Sequence, residues 1–432
     1  MIPLANSPNR RVFLFLQGPH GPFFNALGRM LRAAGAQVWR VGFNAGDQAF
    51  WGDKSSYIPY RGAPDDWPET FSDLLAHHGV TDIVLYGDTR PVHARAIEIA
   101  NARRITVHVF EEGYLRPWWV TYERSGSNGN SRLMKLDVAQ MQTALAQSEG
   151  HAPPPPSHWG DMRQHIFYGA LYHWFVLFLN RRYQKFRPHR ELPVSKEFRL
   201  YFKRLSLMPI HRLQRGWATA QVRWSGFPYH LVLLQLGHDS SVQYHSDFSC
   251  MSEFLELVIA GFAKGAPAHQ HLVIKEHPLE NHREPLRLRA RQLAAQHGIT
   301  NRIHYVPGGK LARLLDDAKS AVTVNSTAGQ QVLWRGIPLR IFGQSVYDKP
   351  EFVSRQSIEA FFAQPDAPGG KAYRAYRQFL LETCQVPGGF YSRQGRRQLL
   401  RRAADMMLSA QDPYQGLLSD KEATTPQLRV VE

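Results

Sequence analysis

The fold is indicated by the stretch Arg11-Val12-Phe13-Leu14-Phe15-Leu16-Gln17-Gly18-Pro19-His20-Gly21-Pro22. Its apolar half predicts a buried strand, and the glycine–proline turn leads into a helical pattern through Phe24, Leu27 and Leu31. A second strand is predicted at 37–41. Together they form a βαβ unit, which is typical of a parallel α/β sheet. The turn is not a G-x-G-x-x-G motif, so a simple tight loop explains it as well as a nucleotide site does.

The same alternation of strand and helix continues along the chain. Further strands are predicted at 82–86, 105–110, 229–236, 271–275, 303–306 and 321–324. A chain of 432 residues is longer than one typical core. We therefore predict an α/β protein with two Rossmann-like domains, residues 10–150 and 225–365, that face a central cleft.

The remaining segments differ in composition from the two predicted domains. Residues 151–224 contain a stiff proline run, Pro153 to Pro156, and then an aromatic and basic segment. We expect a linker and helices there, basic helices at 366–410, and a disordered tail at 411–432. The default interpretation of the basic helices is a solvated charged face.

The charge of the chain points to anionic partners. Lysine and arginine exceed aspartate and glutamate by 52 − 36 = 16, and the pI is near 9.9. Nucleic acid is disfavoured, because the charge is dispersed and no nucleic-acid module is recognisable. Two cysteines, Cys250 and Cys384, form neither a disulfide framework nor a metal cluster, which fits a reducing compartment. We expect no signal peptide and no membrane-spanning helix, because neither pattern is visible.

Three short segments carry the candidate chemistry, and each follows a predicted buried strand. They are Phe110 to Pro117, Ile274 to Pro278, and Val324 to Gly329. Residues just beyond the carboxyl ends of parallel strands line the ligand crevice. The segments offer paired carboxylates, a lysine with a histidine, and a hydroxyl-rich loop before a helix, whose free amides can bind phosphate. This set suits transfer of a phosphate-activated group, although loop and capping roles explain the histidine and the hydroxyls equally well.

An aromatic run at 166–179 is followed directly by a basic run at 180–187. Tyrosine and tryptophan favour membrane interfaces, and basic residues attract anionic headgroups. Attachment to a membrane surface and ordinary packing between the two domains both remain open. The residues that we assign to membrane contact are Trp174, Phe175, Arg181, Arg182 and Lys185.

The combination of motifs is more specific than any one of them. The matching segments are Leu16 to Pro19 with Gly21 to Phe24, Asn44 to Asp47, Tyr86 to Asp88, Phe110 to Pro117, Lys275 to Pro278, and Asn325 to Pro338. With these segments the chain resembles the bacterial capsule polysaccharide Kdo transferases that start the Kdo linker on a lipid. The resemblance implies a glycosyltransferase of the GT-B plan on the inner face of the inner membrane. It also implies CMP-Kdo as donor, phosphatidylglycerol or its lyso form as acceptor, and other capsule assembly and export proteins as candidate partners.

The resemblance also suggests roles for individual residues. It implies retention of anomeric configuration with a carboxylate nucleophile, for which Glu112 is our first choice, then Glu111 and Asp88. Related enzymes have Glu-Asp-Gly where this chain has Glu111-Glu112-Gly113. The donor-binding set is Lys275, His277, Pro278, Asn325, Ser326, Thr327, Gln235 and Asp239. The acceptor-side set is Gln17, Gly18, His20, Asn44, Asp47 and Arg116. No DxD-like signature stands out, so neither an essential metal nor a cofactor is predicted.

Two other classes of function stay open at this stage. One is a GT-B glycosyltransferase that uses another nucleotide sugar, because the phosphate-binding parts are shared. The other is a non-catalytic capsule assembly or export adaptor with a basic surface. Carboxylates and a His-Pro pair at strand ends argue against an adaptor, which has no need of them.

Overall fold

The structure is a computed structural model that describes residues 10–147, 162–185, 194–237, 240–277, 280 and 284–418. The predicted proline run, Asp239, Pro278 and residues 419–432 lie outside the described residues. The strands are β1 (Val12–Phe15), β2 (Gln37–Gly42), β3 (Tyr57–Pro59), β4 (Asp82–Tyr86), β5 (Thr106–Glu112), β6 (Trp119–Arg124), β7 (Tyr229–Leu233), β8 (His271–Lys275), β9 (Ile303–Val306), β10 (Ala318–Thr323), β11 (Leu339–Ile341) and β12 (Gln385–Pro387).

The helices alternate with these strands along most of the chain. They are α1 (Phe23–Ala33), α2 (Ala45–Ala49), α3 (Trp67–His77), α4 (Pro91–Ala102), α5 (Val138–Gln147), α6 (Met162–Leu179), α7 (Val194–Trp224), α8 (Ser240–His245), α9 (Met251–Gly265), α10 (Leu286–Gln296), α11 (Leu311–Leu315), α12 (Gly329–Trp334), α13 (Ile358–Ala363), α14 (Gly370–Thr383), α15 (Arg393–Leu408) and α16 (Pro413–Leu418). Within the part of the chain that is described, no helix is both long and apolar enough to cross a membrane.

The strands form two sheets. The first has the order β12-β6-β5-β4-β1-β2-β3, in which β1 to β5 run parallel while β6 and β12 are antiparallel to their neighbours. The second has the order β11-β10-β7-β8-β9 and is parallel throughout. Strands such as β1 and β7 are buried along their whole length, as expected for parallel strands covered by helices on both faces. The predicted α/β fold with two facing sheets is confirmed; the predicted domain boundaries stay a prediction.

One of the apolar clusters in the described residues bridges the two halves of the chain. Tyr114 and Leu133, from the first half of the chain, are buried in the same cluster as Leu231, Leu339 and Phe379. Because apolar contacts continue from one half of the chain to the other, the two sheets are packed together, and this packing sets the width of the cleft between them.

The C-terminal part of the chain returns to the first sheet. Strand β12 pairs with β6 in the register Val386 to Val120, and α15 packs against α1. This three-residue strand between the predicted basic helices was not predicted, because it is too short to show any periodicity. The prediction of disorder for 411–432 is wrong at 413–418, where α16 forms. Tyr414 is buried there and its hydroxyl donates to Glu123 Oε2 at 2.9 Å, which anchors the helix.

Candidate active site

A cavity of about 260 Å³ opens between the two sheets. The end of β5 and the residues after it contribute to one wall, and residues that follow β7, β8, β10 and β11 contribute to the other. The lining residues are Glu111, Glu112, Tyr114, Arg116, Asn128, Gly129, Gln235, His245, His277, Asn325, Ser326, Thr327, Gln330, Gln344, Ser345, Val346 and Tyr347. All three segments singled out in the sequence therefore contribute to one cavity.

The two carboxylates at the end of β5 have different partners. Glu112 Oε1 accepts hydrogen bonds from the hydroxyl groups of Tyr86 at 3.3 Å and Tyr391 at 3.4 Å. Glu111 Oε1 instead accepts from the backbone N–H of Glu112 at 3.0 Å. Because successive strand residues point to opposite faces, the pair reaches the cavity from two sides of the strand.

The surroundings of Glu111 raise the pKa of its carboxyl group toward neutral pH. Desolvation raises its pKa to about 7, and the negative charges of Glu112 and Asp88 act in the same direction. The backbone N–H of Glu112 and the charge of Arg116 oppose this rise only in part. A carboxyl group with such a pKa can accept or donate a proton under physiological conditions.

The loop after β5 is held tightly enough to fix the cavity wall. A Cβ atom on Gly113 would lie 2.2 Å from the carbonyl oxygen of Trp119, so only glycine fits there. The Leu115 N–H donates to Gln385 Oε1 at 3.2 Å. Arg116, the residue that follows, lines the cavity and brings a cation to the carboxylate side.

Asp88 lies behind the cavity wall and is not among the lining residues that the structure describes. Its Oδ2 accepts from the Ser127 N–H at 2.8 Å and from Asn130 Nδ2 at 3.1 Å. These bonds hold the 3₁₀ turn at 128–130, which supplies Asn128 and Gly129 to the cavity. The geometry favours a positioning role for Asp88 over the chemical role that we assigned from the sequence.

Five of the predicted donor-binding residues line the opposite wall, namely Gln235, His277, Asn325, Ser326 and Thr327. Gln235 and Asn325 bind each other twice: Asn325 N–H donates to Gln235 Oε1 and Gln235 Nε2 donates to Asn325 Oδ1, both at 2.9 Å. Ser326 Oγ accepts from the Ala328 N–H at 3.2 Å just before α12. The predicted hydroxyl-rich loop is therefore positioned from the end of β7.

Lys275 differs from the other donor-side predictions. Its side chain is buried, Nζ donates to the carbonyl oxygen of Glu276 at 3.3 Å, and it is not among the described lining residues. Burial and the nearby charge of Arg215 lower its pKa to about 8. Its positive charge lies behind the wall that carries His277.

Most of the predicted acceptor-side residues form a separate buried network. Asp47 accepts from Gln17 Nε2 and pairs with Arg40, each at 3.2 Å. The Tyr172 hydroxyl of α6 accepts from Asn44 Nδ2 at 2.7 Å and donates to Asp47 Oδ1 at 3.2 Å.

Two further members of that set lie close to the same network. The ring of His20 stacks on Tyr172 with centroids 4.3 Å apart, and Gly18 lies against the ring of Phe24. Within the described residues only Arg116 of this set lines the cavity. The network joins the turn after β1 to α2 and α6, so the acceptor assignment stays a prediction.

His245 is a lining residue that the sequence did not indicate. Its carbonyl oxygen accepts from the Gln344 N–H at 2.8 Å and from Asn325 Nδ2 at 3.2 Å. Its ring lies so close to Gly129 that a Cβ atom there would be 2.3 Å from Nδ1. Nε2 is buried and has no hydrogen-bond partner among the described residues, and desolvation lowers the pKa of the ring. The contact between His245 and Gly129 joins two segments that are distant in sequence, and no local sequence pattern predicts it.

The aromatic segment forms α6, and its faces differ in burial. Trp174 is 42% exposed, whereas Phe175 is partly buried with its ring centroid 6.3 Å from that of Phe50. Arg181, Arg182 and Lys185 are exposed at the end of the segment. One face of α6 therefore packs against the protein while another face is exposed to solvent.

Comparison of the sequence with known protein families places the chain in one of them. Residues 81–391 match the family described as capsule polysaccharide biosynthesis protein, and the chain belongs to this family. It is 31% identical over 388 residues to the capsule polysaccharide modification protein LipB of Neisseria meningitidis serogroup A, which covers 88% of this chain and 91% of LipB. It is 29% identical over 385 residues to the capsule polysaccharide export protein KpsS of Escherichia coli, with 88% and 96% covered.

Among solved structures, the chain resembles the β-Kdo 2,7 transferase KpsC of Thermosulfurimonas dismutans with a TM-score of 0.42 and 12% identity. That match covers 91% of this chain and 100% of the other. It resembles Staphylococcus aureus MnaA in complex with UDP with a TM-score of 0.32 and 9% identity, covering 97% and 100%.

Proposed function

We propose that the protein is a retaining β-Kdo glycosyltransferase that transfers Kdo from CMP-Kdo to phosphatidylglycerol or its lyso form. The product would start the poly-Kdo linker of a capsular polysaccharide. One observation carries the proposal: the paired carboxylates at the end of β5 face His277 and the Ser326–Thr327 loop across a single cavity. Membership in a capsule polysaccharide biosynthesis family supports the same substrate context.

In the first half of the proposed reaction, a carboxylate oxygen of Glu112 bonds to the anomeric carbon of Kdo. The bond from that carbon to the phosphate oxygen breaks, and CMP leaves with the electron pair. The hydrogen bonds from Tyr86 and Tyr391 hold the carboxylate in place. A phosphate monoester leaving group needs charge stabilisation more than protonation, which polar groups on the opposite wall can provide.

In the second half, a hydroxyl group of the lipid glycerol attacks the same carbon and displaces Glu112 with its bonding pair. Glu111 accepts the proton of that hydroxyl group, a role that suits its pKa of about 7. Two successive inversions give net retention, as in other double-displacement glycosyl transfers.

The donor would lie against the second sheet. His277, Ser326 and Thr327 would bind the phosphate and the sugar carboxylate, with Lys275 adding positive charge from behind the wall. Gln235 and Asn325 keep this loop in position through their paired hydrogen bonds.

The proposed site of action is the inner face of the inner membrane, where the protein would bind peripherally. Trp174 and the exposed basic residues after α6 support this location, because aromatic and cationic groups together favour an anionic interface.

A transfer assay separates this proposal from the other donors. Purified protein and phosphatidylglycerol vesicles are incubated with CMP-Kdo, or with UDP- or GDP-linked sugars. The molecular mass of the lipid product is then measured by mass spectrometry. We expect the mass of the lipid to increase by one or more Kdo units when CMP-Kdo is the donor and to stay unchanged with the other donors. The Glu112→Gln variant should form no such product. A product from a UDP- or GDP-sugar instead would contradict the donor assignment, and the absence of any product would support an adaptor.

A further inference from the structure

Helix α7 presents a row of large apolar side chains to solvent. Ile210, Leu213, Trp217 and Trp224 are 52%, 76%, 66% and 82% exposed. At 100° per residue these positions fall within an arc of about 60° and extend over about 21 Å of the helix. Large apolar side chains grouped on one helix face mark an interaction surface.

The opposite side of α7 is already occupied by the protein. Thr219 and Val222 are buried, and Arg215 Nε donates to the carbonyl oxygen of Pro307 at 2.9 Å. These contacts hold α7 against the second sheet, near β9 and α11. The exposed row is therefore the outer face of a helix whose inner face is fixed.

Helix α6 repeats the pattern beside α7. Phe167, Trp174 and Phe178 are 60%, 42% and 55% exposed and lie within an arc of about 40°. His173 and Val176, on the other side of the helix, are buried. The helices α6 and α7 contact each other, so the molecule carries two neighbouring helices that each have an apolar outer row.

The charge of these two segments identifies the kind of partner. Residues 162–185 contain four lysines and arginines and no aspartate or glutamate, and residues 194–224 contain seven against one glutamate. Exposed cations include Arg181, Arg182, Lys196 and Arg199. Tryptophan, phenylalanine and leucine on helices that are rich in cations and poor in acids are typical of binding to an anionic bilayer interface.

We infer that the outer rows of α6 and α7 form a single two-helix surface that docks on an anionic lipid bilayer. In this arrangement α7 supplies most of the apolar contact, and α6 with the basic residues after it supplies the electrostatic attraction. The inference deepens the proposed function, because it rests on a lipid acceptor and assigns the surface that brings the enzyme to it.

Vesicle flotation with the full chain tests this surface. The variant Leu213→Ser/Trp217→Ser/Trp224→Ser should bind vesicles of phosphatidylglycerol and phosphatidylcholine about tenfold or more weakly than the parent at low salt. A matched control, Leu257→Ser/Leu288→Ser, removes two exposed apolar side chains from α9 and α10 and should bind as the parent does. Arg181→Gln/Arg182→Gln/Lys185→Gln should lower binding to anionic vesicles and reduce its dependence on salt.

Two further measurements keep the outcomes distinct. The circular dichroism spectrum and the thermal unfolding midpoint should be equal in the α7 variant and the parent, which shows that the variant is folded whether or not the protein uses CMP-Kdo. Equal flotation of the folded variant and the parent would overturn the inference. So would light scattering that shows a parent dimer and a variant monomer, since a second copy would then cover the face. Loss of flotation with no transfer by the parent would support the surface while contradicting the proposed reaction.

Discussion

At the scale of single residues, Glu111 and Glu112 share a strand end but have different surroundings. Glu112 is held by two phenol hydroxyl groups, whereas Glu111 is desolvated beside the charges of Glu112 and Asp88. Distinct environments for adjacent carboxyls allow distinct roles, one as nucleophile and one as acid and base.

The pKa of Glu111 makes a prediction about pH dependence. Glu111 must be ionised to take the proton of the acceptor, so kcat should rise as the pH increases through about 7 and then level off. In Glu111→Gln we expect this rise to disappear and the rate to fall on the order of 10²- to 10⁴-fold. The measurement is the transfer rate between pH 5.5 and 8.5, a range of about three units around that pKa.

A second carboxyl group, that of the buried Glu123, requires a control in that experiment. Desolvation also raises the pKa of Glu123 to about 7, so the folded fraction should be followed by circular dichroism at each pH. If the same rise in rate persists in Glu111→Gln, the ionisation belongs to another group.

Several residues of the site could be predicted from the sequence and others could not. Glu111 and Glu112 are the last two residues of β5, and His277 and Ser326 come two and three residues after β8 and β10. This is the edge where parallel sheets place ligand-binding groups. His245 was missed because its place in the cavity depends on the turn at Gly129, far away in the chain. Asp88 follows a strand too, but its side chain turns to Ser127 and stays behind the wall.

At the scale of elements, β12 connects the C-terminal part of the chain to the end of β5. Gln385 Nε2 donates to Thr121 Oγ1 at 2.9 Å, and Thr121 Oγ1 in turn donates to the carbonyl oxygen of Glu112 at 3.2 Å. The loop after β5 bonds to the same glutamine through Leu115. The Gln385 side chain is thus linked to the backbone of Glu112 through Thr121 and to the backbone of Leu115 directly.

We therefore predict that Gln385→Ala lowers both stability and activity. Leaving buried polar groups unpaired should lower the free energy of unfolding by about 1–3 kcal/mol per group. The rate of transfer should fall more than the affinity for CMP-Kdo. Urea unfolding and transfer kinetics would measure both, with Gln378→Ala on α14 as the control, because Gln378 bonds only to Glu382 of its own helix among the contacts described. Unchanged unfolding in Gln385→Ala would refute this role.

The βαβ elements were predictable, but β6 and β12 were not, and for α7 the sequence predicted helical structure within residues 151–224 without its bounds. Strand β12 has three residues, too few for a periodic pattern. Helix α7 shows apolar residues on its outer face, so its sequence lacks the one-sided pattern of a helix that buries all of its apolar residues.

At the scale of the whole molecule, the two sheets contribute different kinds of side chain to the cavity. The carboxylates belong to the first sheet and His277 and the hydroxyl-rich loop belong to the second. The facing arrangement could be predicted from the paired βαβ patterns. The packing of Gln17, Asn44 and Asp47 against α6 could not, because it depends on where a distant helix docks.

This division predicts that affinity and chemistry can be separated. His277→Ala should weaken CMP-Kdo binding on the order of 10- to 100-fold, because a hydrogen bond to a charged group contributes about 1.5–3 kcal/mol. Glu112→Gln should change that affinity little while removing most of the turnover. Calorimetry would measure both, with exposed His297→Ala as the matched control. A donor affinity that is unchanged in His277→Ala would remove this histidine from the donor site.

The most direct test of the account is to identify the residue that carries Kdo during the reaction. The Glu111→Gln protein is incubated with CMP-Kdo, digested and analysed by peptide mass spectrometry, since loss of the proton acceptor should slow release of the sugar. We predict Kdo bound covalently to the side chain of Glu112. Kdo on a different residue, or transfer to lipid with no protein-bound Kdo at any time, would contradict the central claim.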